Sequence, residues 1–176
     1  WAQPKTETIT IPLDKVGAEN RPSSVPQSAG LPPEALNETI VLPFNNVDGL
    51  YKLVEQHRED LAGIIVEPVS KAYLPAESEF MKALREVTTK YGIVLIFDEV
   101  ITGMRLGLSG AQGYYGVEPE LAAMGKIIGG GFPVGAVAGS GEIMKLLSPI
   151  SGEVFHSGTF NGHPAAMAAG LKTLEI

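Results

Sequence analysis

The chain has 176 residues, 44% of them hydrophobic, which is enough apolar material for one core of ordinary domain size. Its 20 acidic and 13 basic residues give a formal net charge of -7 without a basic cluster, which argues against nucleic acid as a partner. No apolar run approaches the roughly 20 residues of a membrane span, and the absence of cysteine excludes disulfides and thiolate sites and suits a cytoplasmic location.

The first forty residues are rich in proline and small polar residues and keep no helical or strand period. We expect residues 1–40 to form an extended lead-in with a short strand or two, and residues 41–176 to form an α/β core. Because the chain begins at Trp1 and ends at Ile176 without a helix stop signal, we also expect a segment of a longer protein.

A helix is predicted from about Val47 to Glu59, where apolar residues recur at helical spacing. The segments Gly63–Val66 and Ile93–Phe97 are apolar throughout and predict buried strands. A helix with a stop at Gly92 is predicted between them, and its apolar face consists of Phe80, Leu84 and Val87. Strand, helix and strand of this kind predict a right-handed crossover in a parallel sheet that is covered on both faces.

Acidic residues follow both strands, Glu67 after the first and Asp98 after the second. They lie at the carboxyl ends of the strands, which is the edge of an open parallel sheet where ligands usually bind. Further along, a short strand is predicted in the segment "PVGAVAG" and a short helix in "EIMKLLS".

Asp98 and Glu99 are neighbours in a strand, so their side chains point to opposite faces, whereas Asp98 and Val100 share one face. This geometry argues against a metal site built from both carboxylates and leaves Glu99 a structural role. From spacing alone, Asp98 could equally cap a neighbouring helix or close a salt bridge.

Lys126 lies between an apolar segment and three consecutive glycines. A lysine that is desolvated in such a setting has a lowered pKa and can attack a carbonyl carbon. An ordinary surface lysine beside a flexible turn is the alternative. The segment is not a nucleotide-binding phosphate loop, because Glu120 replaces the first glycine of that motif and Ile127 replaces its Ser/Thr.

Ser157, Gly158 and Thr159 form a predicted turn ahead of a helix that opens with Pro164. Backbone N–H groups and a hydroxyl in such a turn can bind a phosphate, although Ser157 or Asn161 could instead cap the helix. A carboxylate for a ring nitrogen, an amine for a carbonyl and a phosphate site together point to pyridoxal 5′-phosphate.

Several motifs in order resemble the class III pyridoxal-phosphate-dependent aminotransferases of fold type I, and within them the glutamate-1-semialdehyde 2,1-aminomutase-like branch. The resemblance spans about two thirds of the chain and lies in four segments: Ile64–Val69, Ile96–Arg105, Gly110–Gly139 and His156–Gly170. Linked motifs of this kind are far more specific than one short pattern.

The resemblance implies a three-layer α/β/α sandwich with a mostly parallel sheet, in which this chain is the central part of the cofactor-binding large domain. It implies that Asp98 binds the pyridine nitrogen, that Val100 packs against the ring and that Lys126 is the Schiff-base lysine. Gly158 and Thr159 would bind the phosphate in the neighbouring subunit of a homodimer. The substrate would be an amino acid or amino aldehyde, and the N-terminal part and the small C-terminal domain would lie outside residues 1–176.

The sequence departs from the family pattern after Glu67, where the loop is short and Lys71 and Tyr73 replace small residues. Ile101 replaces the glutamine of many other members and favours the aminomutase-like branch. Two further hypotheses stay open: a non-catalytic segment that binds the cofactor weakly or only dimerises, and a dinucleotide-dependent oxidoreductase. The latter ranks last because no glycine-rich turn follows the first strand.

Overall fold

A computed structural model describes residues 17–18, 21–22, 24–25, 29–30, 32, 34, 36, 39–148, 150 and 152–176. The chain divides into two units, Trp1–Glu59 and Asp60–Ile176. None of the helices in the described ranges combines the length and the apolar character that crossing a bilayer requires.

Within its described residues, the first unit contains a pair of short strands and an eleven-residue helix. Strand β1 (Gly17–Ala18) pairs with β2 (Arg21–Pro22) in antiparallel fashion, as predicted for the lead-in, while residues 1–16 lie outside the described residues. Helix α1 (Val47–His57) begins after Asn46, whose side chain accepts a hydrogen bond from the Gly49 N–H at 2.7 Å. It ends two residues before the predicted end, and its buried residues are Gly49, Leu50, Leu53 and Val54.

The second unit is built on a four-stranded sheet in the order β3-β6-β7-β8. Its strands are β3 (Gly63–Val66), β6 (Val94–Glu99), β7 (Leu121–Met124) and β8 (Ala136–Gly139). The first three run parallel and β8 pairs with β7 in antiparallel fashion. The predicted α/β class with a mostly parallel sheet is confirmed.

In the described part of this unit, a hairpin and two helices lie in the connections of the sheet, and two further helices follow its last strand. The hairpin consists of β4 (Val69–Ser70) and β5 (Leu74–Pro75). The helices are α2 (Ser78–Tyr91), α3 (Gly110–Tyr115), α4 (Gly141–Met144) and α5 (Pro164–Leu174), with 3₁₀ turns at Lys126–Gly129 and Lys145–Leu147. The predicted short strand and short helix after Lys126 are therefore both present.

Helix α2 packs against β6 and ends as predicted. Gly92 adopts a left-handed conformation with φ 68°, and its N–H donates to the Thr88 carbonyl. The predicted apolar face is buried: Phe80, Leu84 and Val87 are at most 2% exposed. Burying this face removes several large side chains from water, each worth about 1.5–3 kcal/mol.

Within the described residues, one face of the sheet is buried and the other carries exposed side chains. Leu95 and Phe97 on β6 are fully buried, whereas Ile65 on β3 and Val137 on β8 are 57% and 50% exposed. Residues in register share a face, so the exposed side chains lie on the face opposite α2. An apolar strand sequence shows that both faces of the strand are compatible with burial. It does not show which face is covered within the described residues.

The amino edge of the sheet is tied to α2 by an ion pair. Arg85 Nη1 lies 2.8 Å from Glu120 Oε1, and the Leu95 N–H donates to Glu120 Oε2 at 2.8 Å. Partial burial pushes the pKa of Glu120 upward, but the hydrogen bonds from Leu95 and Arg85 outweigh it and hold that pKa below its usual value. This cluster joins α2, β6 and the start of β7.

Candidate active site

The carboxyl edge of the sheet gathers three of the predicted site residues. Asp98 is the penultimate residue of β6 and is in register with Ala123 on β7. Only Gly125 separates the end of β7 from Lys126. Because adjacent strands lie about 4.8 Å apart, Asp98 and the turn at Lys126 occupy the same edge.

Val100 makes the connection between the two strand ends. A Cβ atom placed on Gly125 would lie 3.5 Å from Val100 Cγ1 and 3.7 Å from its Cγ2. The Val100 side chain therefore lies beside Gly125, the residue that leads directly into Lys126. Asp98 Oδ1 accepts a hydrogen bond from the Val100 N–H at 3.1 Å, which fixes the turn after β6. The carboxylate thus closes a turn on its own loop.

Lys126 has an unusual backbone conformation. Its φ of 50° lies in the left-handed region, where a residue with a side chain costs about 1–2 kcal/mol. Such strain concentrates at functional sites. The side chain is exposed, as in the surface alternative that the sequence left open beside a desolvated lysine.

Helix α5 supports the turn that begins at Lys126. A Cβ atom on Gly170 would lie only 2.6 Å from the Ile128 carbonyl oxygen, and one on Gly130 would lie 2.7 Å from the Ala169 carbonyl oxygen. Only glycine permits so close an approach of the two backbones. Sequence reasoning missed this contact, although both glycines were visible as possible signs of close packing.

Gly158 and Thr159 are exposed residues of the turn that precedes α5. The Asn161 N–H donates to the Gly158 carbonyl at 3.0 Å. The alternative that Ser157 or Asn161 caps α5 is wrong, because His163 is the N-cap and its Nδ1 accepts from the Ala166 N–H at 3.4 Å. Pro164 is the first helical residue, as predicted. The phosphate-binding role of Gly158 and Thr159 stays a prediction.

Glu99 points away from Asp98, as strand alternation predicts. It is 2% exposed and accepts hydrogen bonds from Thr102 Oγ1, the Ala111 N–H and Gln112 Nε2 at 3.1, 2.7 and 3.0 Å. The two neighbouring acids therefore differ completely in surroundings. Local spacing could not identify these donors, because the positions of the last two depend on how the loop after β6 folds back.

The short loop after Glu67 is the β4-β5 hairpin. Its turn contains Lys71 and Ala72, both with positive φ, at 52° and 67°. Such turns usually use Asn or Gly, which adopt this conformation at lower cost. Glu67 Oε2 accepts a hydrogen bond from the Lys71 N–H at 2.8 Å, so this acid stabilises the hairpin. Tyr73 is 62% exposed on the same hairpin.

The donor set at the carboxyl edge fits pyridoxal phosphate chemically. A half-buried carboxylate at Asp98 can pair with a protonated ring nitrogen, an apolar side chain at Val100 can contact a ring, and an exposed amine at Lys126 can reach an aldehyde. Among the described residues, no group of three His, Asp or Glu side chains is placed to hold a metal ion.

Known proteins show the same combination of sequence and fold. The chain is 52% and 48% identical over 165 residues to glutamate-1-semialdehyde 2,1-aminomutases of Ignicoccus hospitalis and Pyrobaculum aerophilum, and each match covers 93% of this chain and 39% of the relative. An omega-transaminase from Sphaerobacter thermophilus is 48% identical with a TM-score of 0.86, over 92% of this chain and 37% of that one. The chain thus spans roughly two fifths of the curated relatives it matches.

The family match covers nearly all of the described part of the chain. The sequence model described as Aminotransferase class-III matches residues 19–176, which include β6, the turn at Lys126 and the turn before α5. The solved relatives have the fold that the resemblance implied, a mostly parallel sheet with helices of the fold type I transaminases. On these grounds the chain belongs to the class III aminotransferase family.

Proposed function

We propose that the protein carrying this chain is a pyridoxal-phosphate-dependent enzyme that transfers an amino group, with Lys126 as the lysine that holds the cofactor covalently. The observation that carries the proposal is the placement of Asp98, Val100 and the strained Lys126 at one edge of the sheet. A solved transaminase described with pyridoxal phosphate bound is 38% identical to the chain with a TM-score of 0.79, which supports the cofactor assignment.

Each residue has a distinct task in this proposal. The Asp98 carboxylate would accept a hydrogen bond from the protonated ring nitrogen and keep it charged, and the Val100 side chain would pack against the ring. The Lys126 amine would hold the cofactor and, when free, would move a proton to and from the substrate as a general acid and base. Bound pyridoxal phosphate supplies an electron sink for the carbanion that forms when the substrate loses its α proton.

Spectral titration of the full-length protein with pyridoxal phosphate tests this proposal. We expect a saturable visible band that borohydride reduces, with the reduced label on the peptide that contains Lys126. Lys126→Ala should abolish both signals. Lys145→Ala is the matched control, because Lys145 is also an exposed lysine that opens a 3₁₀ turn. A weak, non-saturating signal equal in all three proteins would favour the non-catalytic alternative and overturn the proposal.

The dimer is a separate part of the proposal. Thr159 and Gly158 lie in an exposed turn, where they are available to a second subunit. If Thr159 serves the neighbouring site, a mixture of Lys126→Ala and Thr159→Val subunits regains one intact site per mixed dimer. Recovery of activity after subunit exchange is the expected result. No recovery would mean that Thr159 serves its own subunit's site or none.

The comparisons do not separate intramolecular from intermolecular amino transfer, since an aminomutase and an omega-transaminase are similarly close. Ile101 favours the aminomutase-like reaction. We therefore infer that the loaded enzyme isomerises glutamate 1-semialdehyde without an added amino acceptor. Activity that appears only when a second carbonyl compound is supplied would assign it to the aminotransferases.

A further inference from the structure

Glu99 is a buried carboxylate whose partners all come from the segment that follows β6. Thr102 lies in the loop after the strand, while Ala111 and Gln112 belong to the first turn of α3. These three donors bond to the two carboxylate oxygens of Glu99, so the carboxylate has hydrogen-bond partners without a cation. Since a buried carboxylate without partners is costly, Glu99 fixes the loop and the start of α3 in one arrangement.

The loop wraps around Glu99 so closely that two of its positions require glycine. A Cβ atom on Gly110, whose φ is 54°, would lie 2.3 Å from Glu99 Oε2. A Cβ atom on Gly103 would lie 2.8 Å from the Glu99 carbonyl oxygen, to which the Gly103 N–H donates at 2.9 Å. Both the side chain and the backbone of Glu99 are thus enclosed by the loop that begins at Val100.

The C-terminal end of α3 is hydrogen-bonded to the base of the β4-β5 hairpin. Tyr115, the last residue of α3, is 8% exposed, and its hydroxyl lies 2.9 Å from the Ala76 carbonyl and 3.3 Å from the Pro68 carbonyl. The Ala76 N–H also donates to the Pro68 carbonyl at 2.9 Å, which closes the base of the hairpin. Burial, and secondly the neighbouring Tyr114, raises the pKa of Tyr115, so the hydroxyl keeps its proton and remains a donor.

We propose that Glu99 is a positioning residue, which through α3 couples the loop carrying Val100 to the β4-β5 hairpin. Helix α3 has six residues and is about 9 Å long, so it acts as a short rigid connection between Glu99 and Tyr115. Both connected segments follow strands at the carboxyl edge, where the proposed cofactor site lies. Loosening either end of α3 then loosens both sides of the site. The role in cofactor binding depends on the proposed function, whereas the coupling does not.

The competing interpretation is that Glu99 only caps α3 locally. The two interpretations differ at the Ala76 amide, which is bonded to Pro68 and makes no hydrogen bond to Glu99. Amide hydrogen exchange at this position therefore reports the coupling directly. A local cap predicts faster exchange at Ala111 alone.

Gly110→Ala is the perturbing variant, since its Cβ displaces the Glu99 carboxylate. Gly92→Ala is the matched control, because Gly92 has a similar φ of 68° but no atom within 4 Å of its Cβ position. Both variants carry the same type of backbone strain. We expect exchange at Ala76 to become about tenfold faster in Gly110→Ala, the change that loss of one buried hydrogen bond produces. In Gly92→Ala it should stay near the wild-type rate, and faster exchange at Ala111 without any change at Ala76 would overturn the coupling.

Tyr115→Phe tests the coupling in the reverse direction and removes only one hydroxyl, which keeps the test decisive if Gly110→Ala does not fold. We expect faster exchange at the Gly103 and Ala111 amides. In the Gly110→Ala/Tyr115→Phe double variant the two effects should not multiply, because either change alone already breaks the connection. Fully multiplicative effects would show two independent local contacts and overturn the proposal.

The dissociation constant of pyridoxal phosphate, read from its visible band, tests the role at the site. It should rise about tenfold in Gly110→Ala and in Tyr115→Phe, and stay within about twofold of wild type in Gly92→Ala. Unchanged affinity in the first two variants would limit Glu99 to a structural role. If the wild-type protein does not bind the cofactor, the proposed function fails, while the exchange measurements still decide the coupling.

Discussion

The two edges of the central sheet use charged residues in opposite ways. At the amino edge, Arg85 and Glu120 pair with each other, and Glu120 also accepts from the backbone of Leu95. At the carboxyl edge, Lys126 is exposed in a strained conformation and Asp98 closes only a turn. Paired charges stabilise a fold, whereas strain and exposure lower stability and leave groups available for chemistry. The ion pair at the amino edge therefore contributes to stability, whereas the carboxyl edge combines stabilising carboxylates at Glu67 and Glu99 with the candidate site.

The strongest test of this contrast is Lys126→Gly, which should abolish amino transfer without destabilising the fold. Glycine accepts a φ of 50° freely, so relief of about 1–2 kcal/mol of strain offsets the added entropy of the unfolded chain. We expect a free energy of unfolding equal to or slightly above that of wild type in urea titrations. A clear loss of stability would show that Lys126 holds the carboxyl edge together, and the contrast would fail.

Asp98→Asn should give the second largest effect on activity. An amide cannot keep the ring nitrogen charged, so kcat should fall at least about 100-fold, as for loss of a group that handles a proton in the reaction. Asp60→Asn, an exposed aspartate in the same unit, is the control and should leave kcat unchanged. A loss below about tenfold for Asp98→Asn would remove Asp98 from the proposed site.

Local features were predictable from the sequence, and contacts between distant residues were not. The α2 face and its stop at Gly92 follow from spacing and from a residue that favours the left-handed conformation, and both are confirmed. Strand alternation correctly separated Asp98 from Glu99. The partners of Glu99 and the pairing of Arg85 with Glu120 depend on how loops and strands pack together, which no local pattern specifies.

Two assignments at the candidate site also needed the structure. His163 caps α5 because the turn brings its ring, and not Asn161, to the free N–H groups of the helix. Lys126 could have been a desolvated lysine or a surface lysine, and the structure leaves its side chain exposed. In both cases the residue type was compatible with several roles, and the backbone path decided among them.

At the amino edge, Glu120→Gln should affect stability and spare the chemistry. The amide oxygen can still accept from the Leu95 N–H, but the ion pair with Arg85 is lost. Because both side chains are partly exposed, we expect a loss of about 1 kcal/mol or less in the free energy of unfolding. Glu118→Gln is the control, since Arg85 bonds to its backbone carbonyl and not to its side chain. If Glu120→Gln changes kcat under conditions where the protein is fully folded, the amino edge also affects the chemistry, which would contradict the separate roles of the two edges.

The smallest predicted effect is the pH dependence of this same pair. The pKa of Glu120 is lower in the folded protein than its usual value of 4.5. The unfolded chain therefore binds a proton first as the pH falls, and the stabilisation from the ionised carboxylate is complete above about pH 4.5 and is lost as the pH falls through the folded-state pKa. The difference in the free energy of unfolding between wild type and Glu120→Gln should thus be constant near neutral pH and should shrink below about pH 4.5. A difference that stays constant down to acid unfolding would show that the charge of Glu120 does not cause it, and the ion pair would be excluded as its source.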